Sequence, residues 1–146
     1  MTLRLTLTAF AGALAADLLT KAYWVARGPA LGVHVVYNTH PVELARRVTM
    51  CAVALAVTAA LARLAAWRGV GRVRGAWIGA GLLAGGVVGN GISPLIWHRG
   101  VPDFVYLGAW VWNVADFEIS FGLVGGLASI LVSALLAYGR GRLRAT

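Results

Sequence analysis

The stretch WNVADFEISFGLVGGLASILVSALLAY, residues 112–138, decides how the rest of the chain is read. From Phe117 to Tyr138 it carries one charge, Glu118, near its start. A bilayer span needs about 20 mainly apolar residues, so this run predicts a transmembrane helix. Just before it stand Asn113 and Asp116. Their spacing is that of an N-cap and an N3 residue, in which Asn113 caps the helix and Asp116 bonds back to the cap's N–H. The positive end of the helix also favours the carboxylate. Capping accounts for NVAD (residues 113–116). It does not account for Asp103 in VPDF (residues 101–104), the other acid of the same connecting segment.

Working outward, three more stretches qualify as spans: Leu5–Trp24, Val48–Trp67 and Ala76–Trp97. With Phe117–Tyr138 they predict an all-α integral membrane protein, a single domain of four transmembrane helices over residues 1–146. Trp24, Trp67, Trp77, Trp97 and Tyr138 lie at the span ends, where amphipathic rings favour the interface. Composition agrees: 60% of residues are hydrophobic and 12% charged, whereas soluble domains are roughly half apolar and a quarter charged. The net charge of +8 does not point to nucleic acid. The basic residues fall in short clusters between apolar runs, which suits loops facing anionic lipid. The lone cysteine, Cys51 in VTMCAVALAV (residues 48–57), excludes an internal disulfide and a CxxC metal site and reads as a small buried residue.

Arginine placement sets the expected orientation. Arg4, Arg63, Arg68, Arg72, Arg74, Arg140, Arg142 and Arg144 fall on one side, and Arg27, Arg46, Arg47 and Arg99 on the other. The positive-inside rule then puts both termini in the cytoplasm and the two long loops, about 25–47 and 98–116, outside. A second reading of the start competes. MTLRLTLTAFAGALAAD (residues 1–17) has a basic beginning, a short apolar core and an Ala-x-Ala ending at Ala15, the grammar of a cleaved signal peptide. The apolar run continues through Leu18 and Leu19 to Trp24, which favours a retained span. Gly81, Gly85 and Gly89 recur every four residues on span three, and Gly122 and Gly126 do the same on span four. Such stripes let helix backbones approach closely in lipid.

Ionisable groups at membrane depth are expensive, and each calls for a partner or a function. Asp17 and Lys21 are four apart on one face of span one and read first as a neutralising ion pair. Asn90 lies in the outer half of span three, with Pro94 freeing a carbonyl beside it. It reads equally as polar glue between helices or as support for a site. Asp103 and Asp116 lie on the same side of the membrane. If FVYLGAWVW (residues 104–112) folds back along the surface, the two carboxylates can meet. Close carboxylates share a proton, which is what aspartic peptide hydrolysis requires: the ionised member activates water and the protonated member donates to the scissile carbonyl. Solvated loop acids are the plainer reading of spacing alone. Helix-end placement favours Asp116 as the ionised member.

With those residues located, the chain resembles the signal peptidase II family, the lipoprotein signal peptidases of bacterial inner membranes. DLLTK (residues 17–21) looks like the family's D-x-x-T-K. Asn38 in YNTH (residues 37–40) sits where the family has an outer-loop Asn, and Gly89-Asn90 looks like the start of its G-N-x-x-D-R. VPDF and NVAD are similar to the motifs carrying its two aspartates. The resemblance covers nearly the whole chain and rests on five motifs in order rather than on any one. It implies a four-span peptidase with cytoplasmic termini and an active site at the extracytoplasmic face. Asp103 and Asp116 would be the catalytic dyad. Asn90 and Asn113 would position the dyad and the substrate backbone, and Asp17 and Lys21 would support the site, as would Asn38. It also implies lipid-modified prolipoproteins as substrates, membrane lipid as surroundings, a monomer, no nucleic acid, no cofactor and no metal.

The departures are specific. G-N-x-x-D-R reads GNGISP here (residues 89–94), with Ser93 and Pro94 replacing Asp and Arg. His40 stands where Gly usually follows the outer-loop Asn, and the link between the two aspartates is compact. Arg99 is the cation nearest to replacing the missing one. A paralogue that binds lipidated peptide or an inhibitor without cutting is therefore the first alternative. A small structural or transport-accessory protein, in which Asp116 is only a cap, is the second.

Overall fold

The computed structural model describes residues 2–39, 41–67 and 73–143. His40, Arg68, Arg72 and Arg144 lie outside the described residues. Four helices follow in order: α1 (Thr2–Arg27), α2 (Pro41–Trp67), α3 (Arg74–Ile96) and α4 (Val114–Leu143). All four are long and apolar enough to cross a membrane. They overrun the apolar stretches at most ends. The hydropathy criterion stops at the hydrocarbon edge, whereas backbone hydrogen bonding continues into the interface.

Helix α3 is the centre of the bundle. Half of its most apolar window (50%) is buried inside the protein, against 11% for each of the other three helices. It packs chiefly on α4 and α1, and less on α2. Large apolar side chains such as Leu7, Leu19, Val53 and Leu131 point outward and are exposed. In water that would be a liability; in lipid the helices associate through close packing and polar contacts instead.

Glycine makes that packing possible. A Cβ on Gly81 would meet the Thr6 carbonyl oxygen at 2.5 Å, and one on Gly85 would meet the Ala13 Cβ at 2.6 Å, so this stripe receives α1. A Cβ on Gly89 would collide with the Asp17 carboxylate. The expected stripe therefore lets the α1 backbone approach and also clears the space that Asp17 occupies. A second stripe, unforeseen in the sequence, faces α4. A Cβ on Gly79 would meet the Gly122 carbonyl at 2.5 Å, and one on Gly86 the Ala115 carbonyl at 2.6 Å.

The segments joining the helices at one end of the bundle, read as loops in an all-α protein, contain four short strands. After a 3₁₀ turn at Pro29–Leu31, β1 (Val36–Asn38) pairs antiparallel with β2 (Val101–Asp103), Val36 opposite Asp103 and Asn38 opposite Val101. Strands β3 (Val105–Leu107) and β4 (Trp110–Trp112) form a hairpin. Its two-residue turn, Gly108-Ala109, needs a positive φ at the first position, and Gly108 supplies φ 61°. The hairpin is the fold-back of residues 104–112 that a meeting of Asp103 and Asp116 requires. Each strand has three residues, too few for periodicity to reveal. Phe104 anchors the base: it is buried, its N–H donates to the Trp112 carbonyl at 2.9 Å, and its ring stacks on Trp24 with centroids 5.9 Å apart.

Candidate active site

The polar side chains converge where the strands meet the helix ends. Helix α1 delivers Asp17 and Lys21, both with 0% exposure. They form the expected ion pair, Lys21 Nζ to Asp17 Oδ2 at 2.7 Å. The ammonium has three donors, and the two others reach α3: Asn90 Oδ1 at 2.7 Å and Ser93 Oγ at 3.0 Å. Ser93 in turn donates to the Gly89 carbonyl at 2.6 Å. Ser93, one of the GNGISP departures, thus helps to saturate the buried lysine. The second carboxylate oxygen of Asp17 accepts from the Ala115 N–H at 3.0 Å. One α1 side chain therefore satisfies a donor at the start of α4 that would otherwise be orphaned.

The network continues to both other aspartates. Asn90 Nδ2 donates to Asp116 Oδ1 at 3.1 Å. The other oxygen, Asp116 Oδ2, accepts from the Asn113 N–H at 3.0 Å, and Asn113 Oδ1 accepts from the Asp116 N–H at 3.3 Å. That is the reciprocal capping arrangement which the N-cap and N3 spacing suggests. The cap has a further use. Its amide nitrogen, Asn113 Nδ2, donates to Asp103 Oδ1 at 2.5 Å. An unbroken path runs Lys21–Asn90–Asp116–Asn113–Asp103, drawing on α1, α3, α4 and β2.

Asp103 is 4% exposed. Burial pushes its carboxyl up to about 6, and the charge of Asp116 acts in the same direction. The Asn113 donor and the cations Arg47 and Lys21 oppose the rise without cancelling it. Asp103 is thus a carboxyl that holds its proton at mildly acidic pH beside a second acid.

A cavity of about 460 Å³ opens beside this network. Asp116 and Asn90 line it, together with Arg47, Cys51, Trp110 and Trp112. Its remaining walls are mostly apolar, with Ser120 as a further polar group. Asp103, Asn113, Asp17, Lys21 and Asn38 do not line it. Asn38, on β1, has another partner: with its amide turned to satisfy both groups, Asn38 Oδ1 accepts from the two Nη atoms of Arg47 at 3.0 and 3.1 Å.

The family model for signal peptidase (SPase) II matches residues 9–132. The chain belongs to the signal peptidase II family. This is an aspartic peptidase family, and the matched residues run from α1 well into α4. No curated protein and no solved structure matches the chain.

Within this signal peptidase II fold three positions answer questions that the sequence leaves open. Arg99 does not turn toward Ser93 and Pro94; its guanidinium lies 4.5 Å from the centroid of the Tyr37 ring, on β1. Glu118 is buried where α4 meets Gly86 of α3, outside the cavity lining, and its Oε2 has no hydrogen-bond partner among the described residues. Arg47, counted in the sequence only as a loop charge, is part of the cavity wall. The available signal was its position at the border of an apolar run, where a charge is costly. Among the described residues no group of three or more His, Cys, Asp or Glu side chains could hold a metal ion.

Proposed function

We propose that this protein is a lipoprotein signal peptidase that removes the signal peptide from diacylglyceryl-modified prolipoproteins, with Asp103 and Asp116 as its catalytic dyad. The reading rests on family membership. The observation that carries the mechanism is that Asn113 donates to both carboxylates. Asp116, on the cavity wall at the positive end of α4, is the ionised member and activates water. Asp103, whose carboxyl is raised to about 6, is the protonated member and donates to the scissile carbonyl. Asn113 and Asn90 hold the two orientations of Asp116, one to each carboxylate oxygen. Asp17 and Lys21 act at one remove by fixing Asn90 and the start of α4.

The chain then sits as a multi-pass monomer in a bacterial inner membrane, with both termini cytoplasmic and the strand-bearing end extracytoplasmic. An apolar cavity with one acid on its wall suits a substrate that stays in lipid while water reaches only the mouth. The test is cleavage of a diacylglyceryl-modified precursor by purified wild type, Asp103→Asn and Asp116→Asn. Both variants are expected to insert and to lose processing. Full activity in either would defeat the mechanism. The alternative, a paralogue that binds lipopeptide or an inhibitor without cutting, is favoured by one observation: Pro94 stands where the family motif has Arg. Wild type that binds the precursor and leaves it intact would establish that alternative.

A further inference from the structure

We propose that Arg47 is a substrate-positioning residue whose guanidinium donates to a carbonyl oxygen of the lipidated peptide in the cavity beside Asp116. The inference rests on the peptidase reading for the identity of the ligand, and on the following geometry for the residue. Arg47 lies near the outer end of the apolar run of α2. It is half-buried and lines the same cavity as Asp116 and Asn90. Its charge also acts on Asp103. Arg99, just past the end of α3, is directed to the Tyr37 ring instead.

The contact that the fork already makes shows which acceptors suit it. Both Nη atoms of Arg47 donate to one amide oxygen, that of Asn38. Asn38 belongs to β1, which pairs with the strand that carries Asp103. The guanidinium is therefore fixed relative to the dyad by a short sheet rather than by a flexible loop. An amide oxygen is a neutral acceptor, and a peptide or ester carbonyl is the same kind of group. A fully anionic ligand is disfavoured here, because Asp116 shares the cavity wall. Arginine suits the task through a rigid, always-charged fork with five donors. A lipidated peptide offers two sources of the acceptor: a backbone carbonyl near the scissile bond and an ester carbonyl of the diacylglyceryl group.

The experiment compares wild type, Arg47→Lys, Arg47→Met and Asn38→Ala on two synthetic lipopeptides, one carrying diacylglyceryl esters and the other the matching diether. Rates are read as separate kcat and KM. Kd is measured with the same intact lipopeptides in an Asp103→Asn background, which keeps every carbonyl of the ligand. Arg47→Met is expected to raise KM and Kd roughly tenfold or more, the effect of a lost charged hydrogen bond, while kcat changes little. Arg47→Lys falls between, and Asn38→Ala moves in the same direction. If the diether raises KM for wild type and not for Arg47→Met, the ester is the partner. If Arg47→Met loses equally on both peptides, a backbone carbonyl is. Wild-type KM and Kd in Arg47→Met on both peptides would overturn the proposal. Should that variant not fold, unchanged values in both Arg47→Lys and Asn38→Ala would overturn it. If wild type binds without cutting, the peptidase reading fails, and the Kd measurements still decide the role of Arg47.

Discussion

Asp103 and Asp116 accept hydrogen bonds from one and the same residue: the side-chain amide of Asn113 donates to Asp103 at 2.5 Å and its main-chain N–H to Asp116 at 3.0 Å. The two donors are covalently linked within one residue, so the orientations of the two acids are coupled. This separates two duties of Asn113, capping α4 and joining the acids. Ser is as good a cap as Asn but has no amide donor for Asp103, and it adds no third carboxyl beside the two acids. Asn113→Ser is therefore expected to keep the cap of the helix start while processing falls by about 100-fold or more, the scale of a lost positioning contact. Asn113→Ala should lose processing and also about 1 kcal/mol of stability. Melting curves and precursor cleavage on the same preparations check both. Wild-type rates in Asn113→Ser would show that the amide bridge is irrelevant to chemistry.

The acid–base assignment predicts a pH limb. The Asp103 carboxyl is raised to about 6, chiefly by burial. As the proton donor it works in its protonated form, so kcat/KM should fall as pH rises through about 6. Removing the Asn113 donor removes a contact that favours the charged form, so in Asn113→Ala the residual activity should have its limb displaced to higher pH. Stability follows the same sign. The contribution of a raised carboxyl is fully present below its ordinary value of 3.8 and is lost as pH rises through about 6. Asp103→Asn should flatten that part of the stability profile. A wild-type rate that kept rising from pH 5 to 8 would assign the proton donor elsewhere.

The four helices were legible because a bilayer imposes a length and a composition that few other structures share, as in Phe117–Tyr138. The Asp17–Lys21 pair and the Asn113–Asp116 cap were legible because both are local, fixed by helical spacing of four and three. The path from Lys21 to Asp103 was not. It needs Asn90 on α3 to lie between Lys21 and Asp116, a relationship set by tertiary packing of glycine faces. Ser93 looked like a loss against the family motif and is instead an acceptor for Lys21. The strands escaped because three residues show no alternation. Arg47 escaped because a charge near a helix end reads as topology before it reads as a site.

Lys21 tests whether the buried network holds the bundle together. Its ammonium serves Asp17, Asn90 and Ser93 without solvent contact. Lys21→Met removes the cation and leaves the Asp17 carboxylate buried without its counter-ion, a change that costs about 3–5 kcal/mol. Asp17→Asn combined with Lys21→Met removes both charges and should recover a good part of that loss. It would not recover processing, because Asn90 has lost the donor that orients it toward Asp116. Thermal unfolding in detergent separates the two variants. Equal stability of Lys21→Met and wild type would mean that the pair contributes nothing to holding α1 on α3.

The glycine face toward α4 makes a prediction that is independent of the chemistry. A methyl on Gly79 would stand 2.5 Å from the Gly122 carbonyl oxygen and 2.9 Å from the Gly126 Cα, both backbone atoms that no rotamer change can clear. Helix α4 would have to move away from α3, and Asp116 and Asn113 ride on its first turn. Gly79→Ala is therefore expected to destabilise by about 1–3 kcal/mol, as overpacking does. It should also reduce processing, although residue 79 lies three turns of helix from Asn90. Gly125→Ala is the control: its methyl would meet nothing within 4 Å, and both stability and activity should stay near wild type. If the two substitutions behaved alike, close approach of α3 and α4 would not be what sets the position of Asp116.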